Sequence, residues 1–339
     1  MRHRIAVISG GRSSEHEISV ASGRSVAAAL AARGAEVISI EIGPGGQWTI
    51  GSGSIESGPP ESPGAELEPR LPGRAVVQAL SGVDVVFPVL HGPFGEDGTV
   101  QGLLELADVP YVGAGVGASA VAMDKDLFKA VLRDRGIPVT RNATLRPGDA
   151  ASNPFGYPVF VKPARLGSSV GISKAHDEDE LTAAIALAFR HDEKVLVEEF
   201  VDGIEIEVGI LGNRKPTASV VGEIVVERNE WYDYEAKYAT GEMELVVPAR
   251  IPASQAARAQ DLAVQAFAAV DCEGMARVDM FVRADGEVLV NELNTIPGFT
   301  ETSVYAKLFE AGGIGYGELL ERLVELALER HERRSGLEY

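Results

Sequence analysis

One short stretch concentrates side chains that can hold charge and metal. Arg277 and Asp279 stand two apart in Arg277-Val278-Asp279-Met280-Phe281, and Glu292 and Asn294 stand two apart in Asn291-Glu292-Leu293-Asn294. Between the two runs lie an Ala284-Asp285-Gly286 turn, then Val288 and Val290. Two alternating runs joined by Asp-Gly read as a β-hairpin. Residues two apart on a strand share a face, so one cation and three oxygen ligands are expected to converge on one side. Mg²⁺ takes oxygen ligands and commonly sits between a carboxylate or two and substrate phosphates. Asp279, Glu292 and Asn294 have the atoms for that. The competing reading is a solvated hairpin face. Arg277 and a following Pro297-Gly298 turn favour the metal, because glycine lets a backbone N–H approach a ligand closely.

A second group of residues points to phosphate. Tyr157 to Pro163 reads as a strand ending at Lys162, and it enters a loop carrying Gly167, Ser168, Ser169 and Gly171. Such a loop can wrap phosphate oxygens with N–H and hydroxyl groups. It lacks Walker spacing, so it is not a P-loop. Lys125 opens a helix after Met123-Asp124, where a cation opposes the dipole and calls for an accompanying anion. Glu15 and Glu17 stand at another helix start, either as dipole partners or with one of them reaching a ligand cation. His91 opens His91-Gly92-Pro93-Phe94-Gly95-Glu96-Asp97-Gly98 at a strand's carboxyl end, where open α/β sheets place ligands. Trp231 to Tyr238 packs three tyrosines and a tryptophan into a lid-like segment.

These side chains need a scaffold, and the sequence supplies an α/β one. Ile5–Ile8 is a strand, Ser9–Ser14 a glycine and serine loop able to offer N–H groups to an anion, and Glu15–Ala32 a helix. Together they form a Rossmann-like half unit, although Gly10-Gly11 alone does not specify a dinucleotide site. Strands follow at 36–42, 83–89, 137–140, 157–163, 195–200, 204–208 and 220–226. On them Glu198 ends one apolar run, Glu205 and Glu207 share a face, and Glu223 lies on the last. Helices are expected over 119–136, 180–189, 255–270 and 318–329, with shorter ones starting near 102 and 300. Residues 43–75 read as a Gly/Pro/Ser-rich surface excursion, and the charged tail from Arg330 as frayed.

Composition narrows the classes. With 339 residues and 45% hydrophobic content, the chain can build two or three cores. Lys and Arg number 31 against 50 Asp and Glu, a net charge of −19, which disfavours nucleic acid and anionic membranes as partners. A single cysteine, Cys272, excludes an internal disulfide and fits a reducing compartment. No apolar run reaches membrane-spanning length. A soluble, cytoplasmic protein is expected.

Taken together, SSEHEIS at 13–19, HGPFGEDG at 91–98, MDK at 123–125, VKPARLGSSVG at 161–171, YDYEAKY at 232–238, ARVDMF at 276–281 and NELNTIPGFT at 291–300 resemble the D-alanine–D-alanine ligases of the ATP-grasp superfamily. The resemblance runs from residue 4 to about 328, in order and at compatible spacings. It implies an α/β (α+β), three-lobed fold: a Rossmann-like domain over 1–120, ATP-grasp subdomains over 121–215 and 216–330, and a charged tail from 331. It also implies ligation of two D-alanines through an acyl phosphate, with ATP split to ADP and phosphate, for peptidoglycan precursor synthesis.

The resemblance assigns roles residue by residue. Lys125 and Lys162 would hold ATP phosphates under the Ser168 loop, with Glu198 and Glu205 at adenine and ribose. Asp279, Glu292 and Asn294 would bind two Mg²⁺, or Mn²⁺. Glu15 would meet the first D-alanine's ammonium, with His91 nearby, and Arg277 and the Gly298 N–H its carboxylate and later the oxyanion. Lys237 and Ser303 would take the second carboxylate, and Tyr238 and Ser168 would join a proton relay to Glu15. The identity of the base stays open. Tyr238 fits an amine nucleophile, whereas Glu199 stands where the family often has lysine. A homodimer is implied. The alternatives are another ATP-grasp carboxylate–amine or carboxylate–hydroxyl ligase, or a non-catalytic nucleotide-binding regulator, against which the metal trio argues.

Overall fold

The computed structural model describes residues 3–51, 74–167, 170–226 and 243–338. Three sheets organise them. The first holds β1 (Arg4–Gly10), β2 (Glu36–Ile42), β3 (Trp48–Ile50) and β4 (Val85–Pro88) in the order β3-β2-β1-β4. β1 pairs parallel with both β2 and β4. Its helices are α1 (His16–Ala32), α2 (Arg74–Leu80) and α3 (Thr99–Leu106). Parallel strands buried on both faces read as continuous apolar runs, and Ile5 to Ile8 are all buried.

The chain then forms α4 (Val116–Met123) and α5 (Lys125–Asp134) where one helix over 119–136 was expected. Asp124 breaks it. Its backbone is extended and its side chain accepts from the Leu127 N–H at 3.1 Å, an N-cap that restarts the helix at Lys125. Residues 137–140 are not a regular strand; they make one parallel bridge, Val139 to Val290. The second sheet holds β5 (Asn142–Leu145), β6 (Val159–Pro163), β7 (Ser173–Ala175) and β8 (Val195–Glu199) in the order β5-β8-β6-β7, covered by α6 (Glu178–Ala188).

The third sheet contains β9 (Gly203–Gly212), β10 (Thr217–Ala218), β11 (Gly222–Val226), β12 (Met243–Val246), β13 (Gly274–Arg283) and β14 (Val288–Asn294). Its path is β12-β11-β9-β13-β14, so the chain passes from the second sheet to the third between Glu199 and Gly203, ahead of residue 215. Helix α7 (Ala253–Ala269) packs on it through Leu262, Ala266 and Phe267, against Val278, Met280 and Val290. Helices α8 (Val304–Ala311) and α9 (Tyr316–Ser335) close the chain. Leu319, Leu320, Leu323 and Val324 of α9 share a core with Ile5 and Phe87 of the first sheet and Met275 of the third. That shared core ties the first and third sheets together.

The tail from Arg330 is helical to Ser335 rather than frayed. Arg330 is buried, lies over the Tyr111 ring, and donates to the carbonyls of Tyr111 (2.8 Å) and Gly113. Charge alone misled here, because the guanidinium reaches carbonyls more than two hundred residues away in sequence. Helix α2 starts at Arg74, at the end of the excursion expected over 43–75, and runs through a stretch for which no element was expected. Among the described residues no helix is long and apolar enough to cross a membrane.

Candidate active site

The hairpin forms as its turn chemistry requires. Asp279 pairs with Glu292 and Arg277 with Asn294 across β13 and β14. The register shifts after Asp279, because Met280 pairs with Val290. Asn291 is therefore the extra residue of a β-bulge. A strict two-residue alternation would put Val290 and Glu292 on one face. The bulge instead sends Val290 into the core beside Met280 and leaves Glu292 opposite Asp279.

On the other side of β13, Asp279 pairs with Glu207 of β9. Glu207, Asp279 and Glu292 thus form a row across three strands on one face. Arg277 lies among them. Its Nε and Nη2 donate to the two Asp279 oxygens at 2.7 Å each, and Nε is 3.0 Å from Glu207 Oε2. Burial alone would lower the guanidinium's pKa, but Asp279 and Glu207 outweigh it and hold the charge well above the usual range. Among the described residues its Nη1 makes no hydrogen bond. Asn294 Nδ2 donates to Asp279 Oδ2 at 3.0 Å, which places the third oxygen-bearing side chain against the pair.

The donor set fits Mg²⁺ or Mn²⁺ in one respect that matters. It supplies two carboxylates and one amide. Among the described residues no cluster of three or more His, Cys, Asp or Glu is grouped for a metal. An ion here would complete its shell with waters and oxygens of a bound phosphate, the usual arrangement for Mg²⁺.

Buried lysines stand beside this face. Lys125 begins α5, with Nζ 2.8 Å from the Leu166 carbonyl and 3.4 Å from Glu292 Oε2. The anion expected to accompany it is Glu292; the Asp124 cap is taken by Lys194 at 2.7 Å. Lys162, on β6, donates to Glu198 Oε1 at 2.6 Å. Glu198 Oε2 is bonded by Lys129, a fully buried lysine that also contacts Thr140 Oγ1. Burial, then the charges of Lys162 and Lys125, push the Lys129 ammonium well below its ordinary pKa. Both oxygens of Glu198 thus face lysines. Glu199, the next residue, belongs to a different cluster, taken by Arg141 (2.8 Å) and Arg283 (3.1 Å). Glu205 is half-buried on β9, opposite Phe281 and Ile224.

Toward the first sheet, Glu15 stands at the N-cap of α1 but makes no capping bond with its side chain. Its carboxylate lies between two glycines: a Cβ on Gly92 would come within 2.8 Å of Oε2, and one on Gly167 within 3.2 Å. Glycine at both positions lets the backbone at Gly92 and at Gly167 approach the Glu15 carboxylate. The N–H groups of Gly10 and Gly11 donate to Ser19 Oγ and to the Ile42 carbonyl, so that loop does not offer them to an anion as its composition suggested.

His91 is buried, with Nδ1 2.9 Å from the Ile296 carbonyl. A carbonyl only accepts, so Nδ1 carries the proton and Nε2 of the neutral ring is an acceptor. Burial lowers the imidazole's pKa against the pull of Glu15, which keeps the ring neutral. Nε2 is buried without a partner among the described residues. Gly298 follows, and Ser303 Oγ lies 3.4 Å from where its Cβ would be. Ser303 is the N-cap residue of α8 and accepts from the Thr300 N–H at 2.9 Å. Ser168, Lys237 and Tyr238 lie outside the described residues. Glu207, Lys129 and Glu96 were not singled out in the sequence; only the Glu205/Glu207 alternation hinted at the first.

Comparison with known proteins settles the family. A model described as the D-ala D-ala ligase N-terminus matches residues 4–114, and one described as the D-ala D-ala ligase C-terminus matches residues 131–325. The chain belongs to the D-alanine–D-alanine ligase family. It is 47% identical to D-alanine–D-alanine ligase A of Mesorhizobium japonicum, over 98% of this chain and 99% of that one. It is 49% identical to the D-alanine–D-alanine ligase of Deinococcus radiodurans, over 97% and 99%. Among solved structures, the ligase from Coxiella burnetii superposes with a TM-score of 0.81 at 36% identity, covering 98% of this chain and 96% of that one. The VanG D-Ala:D-Ser ligase from Enterococcus faecalis does so with a TM-score of 0.82 at 34% identity, covering 96% and 100%. The fold is accordingly the α/β ATP-grasp architecture expected from the sequence.

Proposed function

We propose that this enzyme joins two D-alanines into D-alanyl-D-alanine, splitting ATP to ADP and phosphate, and that the cleft between the hairpin face and the lysines is where it does so. The observation carrying this reading is the junction of opposite charge at Lys125 and Glu292, 3.4 Å apart. A carboxylate is a poor electrophile until its charge is masked. Phosphorylation by ATP makes an acyl phosphate, whose phosphate then leaves as the second amine attacks. Lys125 and Lys162 bind the nucleotide's phosphates, Lys162 exchanging its bond to Glu198 for them. Asp279, Glu292 and Asn294 hold Mg²⁺, two ions by family resemblance, with Mn²⁺ a substitute. The metal's contribution is to neutralise charge as the phosphoryl group moves.

Glu15 and the His91 Nε2 acceptor take the first alanine's ammonium. The Nη1 edge of Arg277 and the Gly298 N–H hold its carboxylate, then the tetrahedral oxyanion. Ser303, beside Gly298, serves the second alanine with Lys237; Tyr238 and Ser168 complete the relay to Glu15. The three sheets act as three lobes, the chain works in the cytoplasm on peptidoglycan precursors, and its assembly is a homodimer. The test is product analysis after incubation with ATP, Mg²⁺ and one amino acid. D-alanine yields ADP, phosphate and dipeptide, whereas L-alanine yields none. Ester from added D-lactate, or mixed dipeptide from D-serine in preference to D-alanyl-D-alanine, would overturn the assignment of the second substrate.

A further inference from the structure

The Gly298 N–H is useful only if its turn points it at the reacting carbonyl. The turn is Thr295-Ile296-Pro297-Gly298, and proline has a fixed φ, so much of the direction is set at Ile296. Both polar backbone groups of Ile296 are held, and both by the same loop of the first sheet's unit. Its carbonyl faces His91 Nδ1 at 2.9 Å, and its N–H donates to Glu96 Oε1 at 3.0 Å. The other Glu96 oxygen, Oε2, accepts from the Gly92 N–H at 2.8 Å. One carboxylate thus bridges the His91 loop and the turn, two hundred residues apart in sequence. Downstream, Phe299 is fixed as well: its N–H approaches Ser22 Oγ at 3.4 Å and its carbonyl accepts from Tyr316 at 3.0 Å. Gly298 itself makes no hydrogen bond among the described residues.

We propose that Glu96 is a positioning residue for the oxyanion donor: by holding Ile296 from one side while His91 holds it from the other, it aims the Gly298 N–H at the reacting carbonyl. This rests on the reading of Gly298 and Arg277 given above. Among the described residues Glu96 bonds Gly92 and Ile296 and none of Asp279, Glu292, Asn294, Lys125 or Lys162, so its loss acts on the chemical step rather than on ATP binding. A carboxyl group is required because both of its oxygens accept from an N–H, its proton, when bound, pointing away from them; an amide supplies one acceptor and turns an NH₂ toward the other donor.

The experiment is steady-state kinetics of Glu96→Gln and Glu96→Ala in the full-length enzyme, with melting temperatures measured alongside. A misplacement of about 1 Å at a reacting group costs about 10²-fold. The expected result is a fall in kcat of that order in both variants, with the KM for ATP within about twofold of wild type. Wild-type kcat in Glu96→Gln overturns the proposal. So does a parallel loss in kcat and ATP affinity with a lowered melting temperature, which would mark a merely structural role. Arg277→Ala, run beside them, tests the underlying reading separately: full turnover there removes the oxyanion site itself, whatever Glu96 does.

Discussion

On the hairpin face three carboxylates, Glu207, Asp279 and Glu292, surround one guanidinium, Arg277. Beside it two lysines, Lys129 and Lys162, hold one carboxylate, Glu198, and a third, Lys125, lies close enough to act on Lys129. The first cluster carries surplus negative charge and suits a divalent cation. The second carries surplus positive charge and suits phosphate. They meet where Lys125 approaches Glu292. The difference teaches that neither cluster needs to be neutral by itself, because a metal–nucleotide complex would bring the missing charge to each side at once. Within the chain the groups pair with one another: Arg277 forks onto Asp279, and Lys162 rests on Glu198.

The comparison breaks most visibly at Glu292, the residue that joins the clusters. Glu292→Ala is expected to lower turnover by roughly 10³-fold, the scale of several kcal/mol of lost charge stabilisation. ADP release measures it, and unchanged release would contradict the metal assignment. Lys129→Met tests the other side. It leaves Glu198 buried with only Lys162, so the fold should lose about 3 kcal/mol, the low end for a broken buried pair. Denaturant titration reads this, and a stability equal to wild type would mean that Lys129 is already neutral and uninvolved.

Glu199 sharpens the boundary of the lysine cluster. Its neighbour Glu198 belongs to the lysines, whereas Glu199 is held by Arg141 and Arg283. Burial would raise the Glu199 carboxyl's pKa, but the Arg141 bonds outweigh that and hold it below the usual range. Glu199→Gln should cost about 1 kcal/mol of stability and leave the KM for ATP within about twofold. A large rise in that KM would extend the nucleotide site to the next residue. The smallest effect concerns pH. Burial and the charge of Glu15 push the Glu96 carboxyl up to about 8, from an ordinary 4.5. The folded chain therefore keeps a proton that the unfolded chain releases. The stability this contributes is fully present below the ordinary range and is lost as pH rises toward about 8. Melting temperatures should fall across that window and fall less steeply in Glu96→Gln; equal slopes would contradict the shift.

Much of this site was legible because its signals are local. Asp285-Gly286 set the hairpin, alternation set the faces, and glycines marked the loops whose backbone approaches Glu15. What stayed hidden depends on partners far along the chain. Glu96 takes its meaning from Ile296, Lys129 from Glu198, and Arg330 from Gly113. The bulge at Asn291 left no mark on composition, since one inserted residue changes only parity. The helix expected over 119–136 divided because a single aspartate, Asp124, could cap a restart, which periodicity does not report.

The most direct test is a crystal of the enzyme grown with ADP and Mn²⁺, read by anomalous scattering. The account predicts manganese bound by Asp279, Glu292 and Asn294, against phosphate oxygens held by Lys125 and Lys162. Manganese elsewhere, with Asp279 still forked by Arg277 and no phosphate near Lys125, would contradict it.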